Sequence, residues 1–188
     1  MNVYLIRHGQ TDANVRGAYN GRLNEPLCGQ GIAGLRGRSY PVADLLFASP
    51  MLRCIQTAAQ IYPELAPALI EDLRERDFGD FEGMTHAEIT AQKGFENWGM
   101  TAELMRFPNA EEFDPFFVRC ERGFFEAVRA AEGQNAERIA IVCHGGVIRG
   151  ILSRLYNGSF YDWGCENGGG FLLDWQNGKI QSVTGLFA

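Results

Sequence analysis

No stretch of this sequence approaches the roughly 20 consecutive apolar residues that cross a bilayer as a helix, so no membrane span is expected. The N-terminus has no basic segment followed by a longer apolar one, so no secretory signal is expected either. Cysteine is sparse: Cys28, Cys54, Cys120, Cys143 and Cys165 are odd in number and never form a CxxC pair. That pattern excludes a disulfide framework or zinc ribbon and predicts reduced thiols in a cytoplasmic protein. Positive charge is also in deficit, with 17 Lys and Arg against 23 Asp and Glu and a formal net charge of −6. Nucleic-acid binding driven by bulk charge is thereby disfavoured, whereas a local arginine cluster inside a cleft remains open. Neither HxH nor HExxH spacing occurs, so the usual signatures of a metal hydrolase are missing. Repeats, low-complexity tracts and linkers are absent too, and the sequence predicts one domain over residues 1–188.

What is present fits an ordinary globular core: 188 residues, 46% of them hydrophobic. Asn2 to Ile6 is apolar, partly β-branched and too short for a helix, and reads as a buried strand. Residues 10–31 are rich in glycine, asparagine and turn formers and read as a loop over the sheet end. Asp44 to Ala48 is a second strand, followed by Ser49 as N-cap and Pro50 at the first position of a helix reaching Tyr62. Leu69 to Leu73 is a third extended segment, and Thr85 with Glu88 has capping-box spacing for a short helix towards Lys93. Phe113 to Ala131 carries apolar residues at helical spacing. Arg138 to Cys143 is apolar on both faces, as a central parallel strand would be, and a helix from about Val147 to Tyr156 follows. Phe171 to Trp175, Asn177-Gly178 and Lys179 to Val183 predict a C-terminal hairpin with an Asn-Gly turn. Alternating strands and helices imply an α/β three-layer α/β/α sandwich with a mostly parallel central sheet.

Chemistry gathers beyond the carboxyl ends of parallel strands. Two strand ends here present a histidine followed by glycine: Ile6-Arg7-His8-Gly9 and Cys143-His144-Gly145-Gly146. Arg53 lies in the first turn of the helix after Ser49-Pro50, where free amides and the dipole favour an anion. Glycine lets the backbone approach a ligand closely. Two histidines, two arginines and exposed amides suit a tetrahedral oxyanion, with phosphate the obvious candidate. Cys143, beside His144, could be a nucleophile, but at the end of an apolar strand a packing role is favoured. His86 falls in an exposed helix away from this group.

Four ordered motifs now carry a resemblance: Arg7-His8-Gly9-Gln10-Thr11-x-x-Asn14, then Ser49-Pro50-x-x-Arg53-x-x-x-Thr57-Ala58, then Leu73-x-Glu75-x-x-Phe78-Gly79-x-Phe81-Glu82-Gly83, and His144-Gly145-Gly146-Val147-Ile148-Arg149. In that order the sequence resembles the histidine phosphatase superfamily, whose fold is phosphoglycerate mutase-like. The resemblance implies that a neutral His8 is the nucleophile and forms a phosphohistidine, its second ring nitrogen bonded to a backbone carbonyl. It implies that Arg7, Arg53 and His144 hold the phosphoryl oxygens, with Asn14 as a neutral donor and the Gly145 backbone close to the substrate. Glu75 is the implied proton donor to the leaving oxygen, with Glu82 as the alternative carboxylate. Gln10 and Thr11 either cap the loop or touch the ligand. No cofactor and no metal are implied, since arginines beside both histidines repel a cation.

The expected substrate is a phosphorylated small molecule, with no nucleic-acid or membrane partner, and the protein is expected to be a monomer or homodimer. Hydrolysis is favoured over mutase-type phosphoryl transfer because only residues 84 to 137 separate the third and fourth motifs. A catalytically idle relative that binds phosphorylated ligands is the third reading, disfavoured because His8, Glu75 and His144 are all present. Residues 84–115 are a candidate lid or insert. Phe95, Trp98, Met100, Met105, Phe107, Phe113, Phe116 and Phe117 lie in or just after it and suggest an apolar or ring-bearing alcohol as leaving group. The sequence departs from the family pattern in a glycine-laden helix (Gly29, Gly31, Gly34, Gly37) and in Ala110-Glu111-Glu112, where Gly-Glu-Ser is usual.

Overall fold

A computed structural model describes residues 1–99 and 107–187. Six strands form one sheet: β1 (Asn2–Arg7), β2 (Leu45–Ala48), β3 (Ala68–Leu69), β4 (Arg138–Cys143), β5 (Gly170–Gln176) and β6 (Lys179–Gly185), in the order β3-β2-β4-β1-β5-β6. The first four in that order run parallel; β5 and β6 are the predicted hairpin, added antiparallel to β1.

Alternation along the strands divides the core into two layers. Val3, Leu5, Ile139 and Ile141 face α5 (Phe113–Glu132) and α6 (Gly145–Leu155), packing with Phe116, Phe124, Val147 and Ile151. Tyr4, Ile6, Ala140 and Val142 face the other way, onto Cys54 and Ala58 of α3 (Leu52–Ile61). A third cluster of Phe81, Ile89 and Trp98 gathers around the short α4 (His86–Thr90). Among the described residues no helix is long and apolar enough to cross a membrane.

The elements differ from expectation where long-range contacts intervene. Residues 10–31 are not all loop: α1 (Asp12–Arg16) is nucleated by a capping box between Thr11 and Asn14, and α2 (Gly29–Arg36) forms despite its glycines. Gly31 permits this, because a Cβ there would strike the Gln10 carbonyl against which α2 lies. Helix α3 begins at Leu52, not at Pro50, and Ser49 is not its N-cap. The Ser49 hydroxyl is engaged by His144 Nε2 at 2.8 Å, and the free Leu52 amide donates instead to Asn24 Oδ1 at 2.7 Å. The third extended segment is cut to Ala68–Leu69, followed by a single 3₁₀ turn over Glu71–Leu73 that buries Leu73. Helix α4 stops at Thr90, short of Lys93, and α6 starts at Gly145, with His144 at its N-cap.

Register fixes where the strands end. Ala48 pairs with Val142 and Arg7 with Cys143, so Ser49, His8 and His144 emerge side by side at one sheet edge. The His8 amide donates to the Cys143 carbonyl at 3.0 Å and the Ser49 amide to the Val142 carbonyl at 2.9 Å, continuing the ladder past the strands.

Phe124 has no exposed surface and meets the Trp175 ring at 5.5 Å, joining α5 to β5. Phe124→Ala is expected to lower the unfolding free energy by about 3–5 kcal/mol. Urea denaturation with an unchanged m-value would report this, and a loss below about 1 kcal/mol would contradict the packing described.

Candidate active site

Burial holds the His8 ring, already in place at the end of β1, well below the usual histidine range, and the nearby Arg53 and Arg7 guanidiniums add to the effect. Its Nδ1 lies 2.7 Å from the Gly9 carbonyl. A carbonyl can only accept, so Nδ1 carries the proton and Nε2 keeps a free lone pair. The Gly9 peptide is itself fixed, its amide donating to Thr57 Oγ1 at 2.9 Å while that hydroxyl donates to the Arg53 carbonyl at 2.6 Å.

His8 stands on the wall of a cavity of about 400 Å³ whose polar floor includes Arg7, Asn14, Glu75, Gly145 and Gly146. Arg7 Nη1 donates to the Cys165 carbonyl at 2.7 Å, whereas its Nε is buried and has no hydrogen-bond partner among the described residues. Asn14 Oδ1 accepts from the Thr11 amide and from Asn167 Nδ2, both at 3.1 Å, so its acceptor end is committed to the protein. That Asn167 amide also donates to the His8 carbonyl at 3.1 Å and ties Asn14 to the backbone of His8.

Glu75 reaches the cavity from the turn after β3, with only 8% of its surface exposed. Its Oε2 accepts from the Gly146 amide and Oε1 from the Arg76 amide, each at 2.9 Å. Any Cβ at residue 146 would collide with that carboxylate, which accounts for the second glycine of the fourth motif. The backbone under Glu75 is stapled by Arg119 of α5, which donates to the Asp72 and Glu75 carbonyls at 3.0 Å and pairs with Glu111 at 2.6 Å. The altered Ala110-Glu111-Glu112 stretch thus keeps the glutamate that holds this staple.

Arg53 and His144 stand behind His8 and not on the cavity wall. Neither has exposed surface. Arg53 Nη1 and Nη2 donate to the Leu23 carbonyl at 2.7 Å and the Gly21 carbonyl at 2.9 Å, and its Nε to His144 Nδ1 at 3.3 Å. A guanidinium only donates, so His144 Nδ1 accepts and Nε2–H faces Ser49. Burial first, then Arg53 and His8, hold the His144 ring well below the usual histidine range. Its ring meets that of His8 edge-on at 5.2 Å.

Other expected positions have structural work. Thr11 is fully buried as the α1 cap, and Gln10 lines a separate depression with Gln30 and Arg38. Glu82 is off the cavity wall; it accepts the Gly21, Arg22 and Phe78 amides at 2.9–3.0 Å and secures the loop that covers Arg53. The Cys143 thiol is buried and pushed well up by that burial, as a packing residue would be. His86 is exposed on α4, against Trp98.

The upper cavity wall is aromatic. Phe107, Phe113 and Phe116 come from the aromatic-rich stretch, as expected. Phe95 and Trp98 pack in the satellite cluster and Phe117 against the main core, while Met100 and Met105 lie outside the described residues. Tyr19, Phe78, Phe160 and Tyr161 complete the wall, together with Arg76 and Arg149, and none of these had been assigned a role from sequence. Only Phe78 and Arg149 stand at specified positions of a motif, and Arg76 at an unspecified one.

The sequence model of the histidine phosphatase superfamily (branch 1) matches residues 3–185. The adenosylcobalamin/alpha-ribazole phosphatase of Escherichia coli K12 is 33% identical over 167 residues, spanning 82% of this chain and 79% of that protein. The crystal structure of the alpha-ribazole phosphatase from Shigella flexneri superposes with a TM-score of 0.82 at 27% identity, over 100% of this chain and 96% of the other. A phosphoglycerate mutase structure from Thermus thermophilus gives a TM-score of 0.69 at 27% identity, over 97% and 98% of the two chains.

Because His8 and His144 stay neutral when folded, both take up a proton only on unfolding once the pH drops below about 6.5. Stability is therefore expected to be level with respect to these two groups above that pH and to fall as pH is lowered through it. The thermal midpoint should drop between pH 7 and 5, and calorimetry in buffers of differing ionisation enthalpy should show their uptake of about two protons at pH 5. A midpoint that stays flat over this range would contradict the buried neutral pair.

Proposed function

The chain belongs to the histidine phosphatase superfamily, branch 1, and on that footing we propose that it is a phosphomonoesterase working through a phosphohistidine on His8, without a metal. The observation that carries this reading is the pairing in one cavity of a neutral His8 with a free Nε2 and a buried Arg7 Nε that lacks a partner among the described residues. A phosphoryl oxygen supplies the acceptor that Arg7 Nε lacks, and brings phosphorus within reach of Nε2.

In the first step the Nε2 lone pair attacks phosphorus in line, the P–N bond forms and the bond to the alcohol oxygen breaks. Glu75, protonated, gives its proton to that oxygen. In the second step Glu75, now a carboxylate, takes a proton from water; the water oxygen attacks phosphorus, the P–N bond breaks and inorganic phosphate leaves. Negative charge on the transferring group is met by Arg7, by the Asn14 amide and by the free amide end of α6 at Gly145. Arg53 and His144 act from behind His8, the first by its positive field and the second by fixing the ring plane.

The aromatic wall favours a ring-bearing leaving group, and alpha-ribazole 5'-phosphate, suggested by the names of the relatives, is the specific candidate. Phosphate release to water is favoured over return to substrate. Tyr161 at the cavity rim is 68% exposed, and so open a rim gives water a route to the phosphohistidine.

His8→Ala is expected to lower turnover of aryl phosphates by at least about a thousand-fold and to abolish the acid-labile phosphate adduct trapped on the wild-type protein. Turnover by His8→Ala at the wild-type rate would refute the nucleophile. Activity should survive EDTA and be blocked by vanadate; loss on chelation that zinc restores would overturn the metal-free route.

A further inference from the structure

Arg149 follows Gly145 by four residues on α6, so the two share a face about 6 Å apart along the axis. Both line the cavity. The Arg149 guanidinium lies 5.7 Å from the centre of the Phe160 ring, and among the described residues it has neither a hydrogen bond nor an ion pair. Such isolation is unusual in this chain, where seven other arginines each lie against a carboxylate. The other rim arginine, Arg76, is already committed: its Nε donates to the Glu111 carbonyl at 2.7 Å and its plane covers the Phe113 ring at 4.0 Å.

Charge on the cavity wall makes the same point. Among the described residues of the wall, three guanidiniums, Arg7, Arg76 and Arg149, face one carboxylate, Glu75, in a protein whose overall charge is −6. The phosphoryl end engages Arg7 and the start of α6. Arg149 stands one helical turn further along α6, beside the Phe160 ring, and adds a second positive charge near that of Arg7.

Resting on the phosphatase reading above, though not on alpha-ribazole as the alcohol, we propose that Arg149 forms a second anion subsite, so that a ring-bearing alcohol that itself carries an anionic oxygen group is preferred over alpha-ribazole, which carries none. A planar carboxylate would meet the guanidinium side-on through two hydrogen bonds, and a tetrahedral monoanion of the phosphodiester kind through one or two. The ring between the two charges lies on Phe160, beside the Arg149 cation.

The test uses inert phosphonates, so that it does not depend on turnover. Affinities of the whole protein for benzylphosphonate, 4-carboxybenzylphosphonate and 4-sulfobenzylphosphonate are measured by calorimetry at low and high salt. At least one acid-bearing probe should bind about tenfold tighter than benzylphosphonate, an advantage that shrinks with salt. Arg149→Met should bring that ratio to about one, and Arg149→Lys should keep part of it. The stronger arm tells carboxylate from tetrahedral monoanion. Equal affinity for all three probes in the wild type, or an advantage that survives Arg149→Met, would overturn the subsite. Failure of the phosphatase reading shows separately, as absence of phenyl phosphate hydrolysis.

Discussion

Arg53 carries its positive charge with no exposed surface, in a place where water cannot solvate it. A buried guanidinium is tolerable only when its donors are used, and here they are used by groups far apart in sequence: carbonyls of the 20–23 loop and a ring nitrogen of His144. That single charge therefore draws together the loop, helix α3 and the end of strand β4. It also helps set the chemistry in front of it. Two imidazoles packed against a permanent cation in a dry site cannot easily take up protons, so both remain neutral bases. The loop that covers Arg53 is in turn secured by Glu82, which spends its acceptors on three backbone amides there.

The sheet supplies alignment and the helices supply rigidity. The register of β1, β4 and β2 brings three strand ends within one residue of each other, and the hydrogen-bond ladder runs one residue past β1 and β2. Glu75 arrives from a different direction, on an irregular turn with little regular structure of its own. Arg119 compensates by tying that turn's carbonyls to α5, so a loop carboxylate gains the steadiness of a 20-residue helix.

Much of this was legible in the sequence wherever the cause was local. Strands β1 and β4 are uninterrupted apolar runs, the C-terminal hairpin has its Asn-Gly turn, and the Thr85–Glu88 capping box forms as spaced. The start of α3 was misread because Ser49 obeys His144, 95 residues away, rather than its own helix. In the same way, His8 and Arg7 could be placed at a strand end, but whether a side chain faces the cavity or stands behind it depends on packing that no spacing records. The aromatic wall was half visible: Phe113 shows in a helical pattern and Phe116 in the aromatic-rich stretch, while Tyr19, Phe160 and Tyr161 come from segments that meet only in the folded chain.

The bond from His8 Nδ1 to the Gly9 carbonyl has a wider meaning for how such a scaffold can change its task. The direction of His8 Nε2 is set by main chain, and that main chain is held by a threonine and a sheet ladder. Replacement of an exposed wall residue such as Tyr161 leaves that direction intact. Reactivity and selectivity are thus inherited through separate parts of the molecule, and the wall can be rewritten for a new alcohol while the machinery at phosphorus is passed on unaltered.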